Sequence, residues 1–355
     1  MGALLAIIVG VVVLSVLVLT HELGHFIAAK ATHCYVEEFG IGFPPRIWGK
    51  KVGETVYSIN WIPFGGFNKI SGEVDPTAPR ALAARSHAVR ALVISGGIIL
   101  NLLLPFLLMT VAYMVPHDVV QGTVKVAEVT ANSPAALGGV LVGDTLVSID
   151  GHTLNSAGDL SRYVQLNLGK NTEFTVIHPD GVKETLTLVP RWRHTADEGS
   201  VGILPENVNP VIVSESQPFW QAIPSGFVDV GQSLVLYKNG IIGIFIGTVP
   251  FTPSGPVGIV QVTGEVARSG VSPVLELAAV ISIAVGVTQL IPFPALDGGR
   301  LLFIFVEWLR RGKRVPPKVE MLIHNLGFLV LLALMVLITY QDIARWITGG
   351  SLLGG

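Results

Sequence analysis

The sequence predicts an α-helical membrane protein with four transmembrane helices, a membrane-associated β-hairpin near its chemical site, and an inserted α+β domain outside the membrane. Three observations lead there. Half of the 355 residues are hydrophobic, only 14% are charged, and the mean hydropathy is +0.62, whereas soluble domains carry about a quarter charged residues. Four stretches are apolar over the roughly 20 residues needed to cross a bilayer. Between the second and third of them the pattern changes to the short strands and turns of a small soluble domain. The net charge of −2 gives no reason to expect a nucleic-acid partner. The single Cys34 excludes an intramolecular disulfide and a multi-cysteine metal site.

The first span occupies residues 1–30. It has no basic n-region and ends in His-Glu rather than in a cleavage site, so a retained span is expected, not a removable signal peptide. At its distal end stands His21-Glu22-Leu-Gly-His25. Residues four apart on a helix share a face, which is what two imidazoles need to hold one zinc ion with a neighbouring Glu22 as base. Most zinc-free copies of such a motif lie on solvated helices. Here the flank is apolar, where ionisable groups are costly and mark function.

Residues 31–90 are polar and basic. Thr55-Val-Tyr-Ser-Ile-Asn-Trp-Ile62 alternates like a strand, and Phe64-Gly-Gly-Phe-Asn-Lys-Ile-Ser-Gly72 follows with turn residues at both ends. The expected hairpin either offers an edge to an extended substrate or merely packs at the membrane. The second span covers 91–115 and carries Asn101, read equally as an amide partner for substrate or oxyanion and as a bridge between spans.

The soluble domain is expected over 120–192. Strands are read at 124–129, 145–150, 173–177 and 184–189, helices at 133–136 (Ser133 as N-cap) and 157–164, and turns at Asp150-Gly151 and Asp180-Gly181. Residues 193–273 follow, with an amphipathic helix pair over 219–247 lying at the interface in preference to a fifth span.

The third span, 274–309, is interrupted by Ile291-Pro-Phe-Pro-Ala-Leu-Asp-Gly-Gly299. Two prolines and two glycines break a helix, and broken backbone at membrane depth must line protein or a wet cavity. Asp297, the only carboxylate between Glu276 and Glu307, is the candidate third ligand. At about 1.5 Å per residue, His21 and Asp297 fall in the same inner half of the bilayer. The alternative makes Asp297 a helix cap. The fourth span covers 321–340. Basic residues cluster in 30–90 and 300–318, so four spans put both clusters on the cytoplasmic side and leave the N-terminus, the insert and the C-terminal tail outside.

HELGH in the first span, Leu296-Asp297-Gly298 in a late span, Gly255-Pro-Val-Gly-Ile259 before it, and the insert together resemble the bacterial site-2 proteases over essentially the whole chain. Residues 132–151 look like the core of a circularly permuted PDZ domain, single here and not tandem. The resemblance implies one Zn²⁺ per chain on His21, His25 and Asp297, with Glu22 activating water. It implies a hairpin (Gly65, Gly66, Phe67, Asn68, Lys69) that binds substrate as an added strand, and an extracytoplasmic PDZ-like domain that limits access. It further implies a multi-pass protein of the bacterial inner membrane, with its site towards the cytoplasm. The expected substrates are single-span membrane proteins already trimmed by another protease, such as anti-sigma factors or remnant signal peptides. Two positions depart from the family pattern: Gln289 stands where relatives carry Asn, and Ile98 where they carry Pro, which bears on substrate positioning and not on metal binding. The rivals from other classes are a metal or proton transporter and an inactive peptide-binding scaffold; the chain shows no duplicated halves, and all four chemical residues are present.

Overall fold

The computed structural model describes residues 3–194 and 198–348. In chain order the elements are α1 (Ala3–Ala31), β1 (Val36–Val52), β2 (Thr55–Ile70), α2 (His87–Met114), β3 (His117–Val129), α3 (Pro134–Leu137), β4 (Thr145–Ile149), β5 (His152–Thr153) and α4 (Ala157–Leu166). Then come β6 (Thr172–Ile177), β7 (Lys183–Leu188), β8 (Ile203–Glu215), α5 (Phe219–Ile246), α6 (Pro256–Val266), α7 (Val271–Gln289), α8 (Asp297–Leu309) and α9 (Pro317–Ile347). They form two compact units, one built from the chain up to Ala112 and again from Pro253, the other from Tyr113–Thr252.

In the first unit four helices are long and apolar enough to cross a membrane: Leu4–Ala31, His87–Met114, Val271–Gln289 and Pro317–Ile347. The helix of the third span ends at Gln289 and restarts at Asp297, with Pro292 and Pro294 in the intervening turn. The outer faces are apolar and bare; α9 exposes Leu322, Leu326, Phe328, Leu329 and Val336, a surface suited to acyl chains and not to water. Helix α6 lies along α1, with Gly10 against Val260 and Gly264 against Ala6. Its N-terminus is closed by the buried Asp342 of α9, whose Oδ2 accepts from the backbone N–H of Gly255 and of Gly258, both at 2.9 Å. At the opposite end of the bundle the buried Glu307 of α8 accepts from Arg90 Nη1 at 2.5 Å and Arg314 Nε at 3.0 Å.

The hairpin differs from the sequence expectation. Residues 55–62 and 64–70 belong to one strand, β2, and the tight turn lies at Gly53, between β2 and the unexpected β1. Residues 46–52 pair with 55–60 (Val52 opposite Thr55, Trp48 opposite Ile59), while 36–41 lie between 55–59 and 66–70 (Glu38 opposite both Val56 and Lys69). Strand β1 escapes pattern recognition because Gly40, Gly42, Pro44 and Pro45 interrupt its alternation. Ser15 of α1 ties the sheet down, its hydroxyl accepting from Gly65 N at 3.3 Å. The same sheet leaves Phe43, Ile47, Trp48, Trp61 and Ile62 exposed.

The second unit is built on a sheet of order β7-β6-β4-β3-β8, with β5 paired to β4. Its inward faces bury Val124, Val126, Leu146, Ile149, Phe174, Val176 and Leu188 against Leu160 and Val164 of α4. Local expectations hold here: Ser133 Oγ accepts from Ala136 N at 3.1 Å, and Asp150-Gly151 turns with both φ angles positive. A second difference lies in 219–247, which forms one continuous helix, α5, and not a pair. Contacts spread along its length hold it to α4: Arg162 reaches Asp229 Oδ1 at 2.5 Å and Gln232 Oε1 at 2.9 Å, and Asn239 Nδ2 donates to Gln165 O at 2.7 Å. Those contacts override the breaks that Pro224, Gly231 and Gly240 suggest in isolation.

The β6–β7 turn carries a histidine between two carboxylates: His178 Nδ1 meets Asp144 Oδ1 at 2.8 Å and Nε2 meets Glu184 Oε2 at 3.1 Å. The hydrogen bond to Asp144, then that to Glu184, raises the imidazole pKa above its ordinary value. A raised folded-state pKa stabilises fully below the ordinary imidazole range and is lost as pH rises through the folded value. Amides of the β6–β7 turn should therefore lose hydrogen-exchange protection, after correction for intrinsic rates, as pH rises above the ordinary imidazole range, and His178→Gln should flatten that dependence.

Candidate active site

The site starts with two helices brought unusually close. A Cβ at Gly24 of α1 would stand 2.1 Å from the carbonyl oxygen of Gly96 in α2, and one at Gly97 would stand 2.6 Å from both His21 Cε1 and His25 Nε2. Both contacts require glycine. The backbone of α2 thus forms a wall directly against the two imidazoles, which meet edge to face with centroids 4.7 Å apart.

Asp297 enters from the first turn of α8, where the helix N-terminus favours a carboxylate. The turn from Leu290 to Leu296 folds tightly back on this helix: a Cβ at Gly298 would fall 2.3 Å from Ile291 O, and one at Gly299 2.3 Å from Phe293 O. Gln289 Oε1 accepts from Asp297 N at 3.2 Å, and His324 Nδ1 of α9 accepts from Ala295 N at 3.1 Å. The position of the carboxylate is therefore set from α7, α8 and α9 together.

Asp297 Oδ2 lies 3.1 Å from His21 Nε2 and 3.2 Å from His25 Nε2, and the two Nε2 atoms are 3.1 Å apart. His25 Nδ1 sits 2.9 Å from Val93 O; the carbonyl can only accept, so the ring proton is on Nδ1 and Nε2 presents a lone pair. Oδ2 of Asp297 is buried with no hydrogen bond to satisfy it. Electron-rich atoms in such a triangle repel one another unless a cation draws them together. Tetrahedral ligands about 2.0 Å from a zinc ion stand about 3.3 Å apart, close to the edges seen here. Two nitrogens and one oxygen from His21, His25 and Asp297 fit a catalytic zinc site with one position left open, and among the described residues no other His, Cys, Asp or Glu cluster has this geometry.

Glu22 lines the cavity beside these three residues, together with Phe67, Asn68, Glu73, Gln289 and Arg300. Of the expected hairpin residues, Phe67 and Asn68 reach the cavity, and both amide atoms of Asn68 are buried without partners. Gly65 and Gly66 do not line it; they pack beside Val18 and Leu19 of α1. Lys69 does not line it either and pairs with Glu37 at 2.7 Å. Asn101 is fully buried behind His21 and away from the cavity. Sequence reasoning missed Val93, Gly97, His324 and the Arg300–Glu73 ion pair at 2.9 Å. A backbone acceptor leaves no mark in the sequence. Gly97, four residues before Asn101, was the one legible signal.

A profile of peptidase family M50 matches residues 9–334. The chain belongs to peptidase family M50, the site-2 proteases. It is 34% identical to a candidate zinc metalloprotease of Clostridium perfringens over 95% of this chain and 98% of that protein. It is 33% identical to another of Clostridium acetobutylicum over 95% and 97%. It is also 26% identical to the zinc metalloprotease RasP of Geobacillus kaustophilus over 95% and 97%. This M50 member is a multi-pass membrane zinc metalloprotease, and zinc is its cofactor.

The wall formed by α2 leads to a direct expectation. Gly97→Ala pushes a methyl into both imidazoles, and the purified variant should bind zinc at least about tenfold more weakly than the parent in a chelator competition. Ala at the neighbouring Ser95, whose hydroxyl bonds its own helix at Ala91 O, should leave zinc binding unchanged.

Proposed function

We propose that this M50 protease cleaves the membrane-embedded segments of single-span membrane proteins, with His21, His25 and Asp297 as its zinc ligands and Glu22 as its general base. The observation that carries the proposal is the convergence of those three ligand atoms to within 3.2 Å, with two of the residues lying far along an apolar, membrane-length helix. His21 is 18 residues beyond Ala3, or about 27 Å along the axis, in keeping with a site in the inner half of a hydrocarbon core about 30 Å thick.

Zinc at this site supplies Lewis acidity, polarising the scissile carbonyl and lowering the pKa of water. Glu22 accepts the proton of the attacking water and returns it to the departing amine, the two-way role a carboxylate beside such a site can fill. Val93 O holds the His25 ring in the tautomer that leaves Nε2 free. Gln289 spends its Oε1 on the Asp297 backbone, leaving its amide nitrogen for substrate. The substrate itself is read as an added strand beside residues 66–70, whose Phe67 and Asn68 line the cavity. The unpartnered amide of Asn68 supports that reading.

The Tyr113–Thr252 unit is read as a PDZ-like gate on the extracytoplasmic side. What supports it is a cavity between α4 and β8, the edge strand of the sheet, lined by Leu160, Val164, Ser200, Val201 and Ile203; helix–strand grooves of this kind receive peptide strands. The aromatic face of α5, with Phe219, Trp220, Phe227 and Phe245 exposed, suits the bilayer interface. Substrates are taken to be already trimmed outside, anti-sigma factors and remnant signal peptides being the expected classes, in the bacterial inner membrane with the site towards the cytoplasm.

The test is a cleavage assay in detergent on a model single-span substrate. Glu22→Gln should retain zinc and lose at least about a hundredfold in rate; cleavage by that variant at the parental rate would remove Glu22 from the mechanism. Asp297→Ala should lose zinc, and an unchanged metal stoichiometry would leave Asp297 as a cap only. A helix must unwind before its carbonyls are reachable, so a Gly-Pro pair placed in the substrate helix should raise the rate and a run of leucines should lower it.

A further inference from the structure

We propose that Asn101 is a positioning residue for the zinc site: its side-chain carbonyl accepts the Nδ1–H of His21 and fixes that ring with Nε2 towards the metal. The inference rests on the assignment of His21, His25 and Asp297 as zinc ligands.

A histidine that gives its Nε2 lone pair to a metal carries its proton on Nδ1 and needs an acceptor there. For His25 that acceptor is Val93 O of α2. For His21 the hydrogen-bonding group at Nδ1, among the described residues, is the carboxamide of Asn101, also of α2, with Nδ2 at 3.4 Å. Residues 93, 97 and 101 recur every four positions along α2, so one helical stripe provides an acceptor, a glycine that admits the rings, and an amide. Asn101 is 0% exposed, and its Oδ1 has no partner. The two ends of a carboxamide exchange places by a half-turn. After that turn Oδ1 faces Nδ1–H, and the oxygen gains the hydrogen bond that a buried acceptor requires.

The surroundings hold Asn101 in place for this. The buried Ser282 of α7 donates its hydroxyl to Asn101 O at 2.7 Å, and Gly286, one turn further on α7, lets that helix press against Leu102 and the Asn101 Cβ. The full burial of Asn101 behind His21 speaks against contact with substrate or with an oxyanion. Among the described residues the carboxamide's one side-chain contact is to the His21 ring of α1, so the bridge it makes between the two spans runs through that imidazole.

The experiment measures zinc dissociation constants by chelator competition on the full-length protein in detergent, with melting of the zinc-free protein as a folding control. Asn101→Leu keeps the volume and removes the acceptor; it should weaken zinc binding by about 10- to 100-fold. Asn101→Asp keeps an acceptor in the same place and should stay within about threefold of the parent or bind more tightly. Leu within about threefold of the parent would overturn the proposal, as would Asp falling as far as Leu, which would mark a packing effect. Where the leucine variant does not fold, the cobalt-substituted aspartate variant decides. A carboxylate acceptor makes the imidazole a stronger donor and shifts the ligand-field bands, whereas bands identical to the parent overturn the idea. His21→Ala separates the two levels. If zinc in the parent is lost in His21→Ala yet indifferent to residue 101, only the Asn101 role fails; a parent without stoichiometric zinc overturns the site assignment along with it.

Discussion

Three lone pairs held within 3.2 Å of one another, inside helices that otherwise present carbon to lipid, are the constraint on which the rest of the structure depends. Each buried acceptor left without a partner costs about 1–3 kcal/mol, and mutual repulsion adds to that. The triangle persists because neither side can withdraw. The imidazoles are backed by the α2 wall, where two glycines admit no side chain. The carboxylate is fixed by the turn preceding α8, pinned by Gln289 and His324. A triangle preorganised in this way suits a divalent cation, because binding one would need little rearrangement.

The bundle is closed at both ends by buried carboxylates, Asp342 acting through Oδ2 and Glu307 through both oxygens. Asp342 takes the N-terminal amides of α6, and Glu307 takes two guanidinium groups from different parts of the chain. In an apolar medium these are strong, directional bonds, since no water competes for them. They lock elements whose apolar surfaces alone would slide, because lipid solvates those surfaces as well as protein does. The α1–α6 contact shows the complementary device: small residues let backbones approach so that dispersion does the work.

The second unit follows water-soluble rules. Its strands alternate, its core is continuous around Phe174, and the starts of α3 and α4 carry serine caps. Only α5 mixes the two regimes, pinned to α4 by a polar stripe while its other face stays aromatic and bare.

The amino-acid sequence by itself determined the apolar spans, the i, i+4 imidazole pair, the break before Asp297, and four strands and the Ser133 cap of the insert, but not β8. All are local: a period of 3.6 or 2, a proline, or a capping hydroxyl is written within one turn or one strand of where it acts. Tertiary structure alone decided which strand segments pair in β1 and β2, that α5 is continuous, and which groups stand behind the ligands. Gly65, Gly66 and Lys69 looked as suitable for substrate as Phe67 and Asn68, and only the packing of the two glycines against α1 and the ion pair of Lys69 with Glu37 of β1 separated them. The reason is physical. Pairing register and outer hydrogen bonds are made by backbone carbonyls and amides, which every residue carries alike, so their partners are chosen by the three-dimensional approach of distant segments and leave no trace in the residue types.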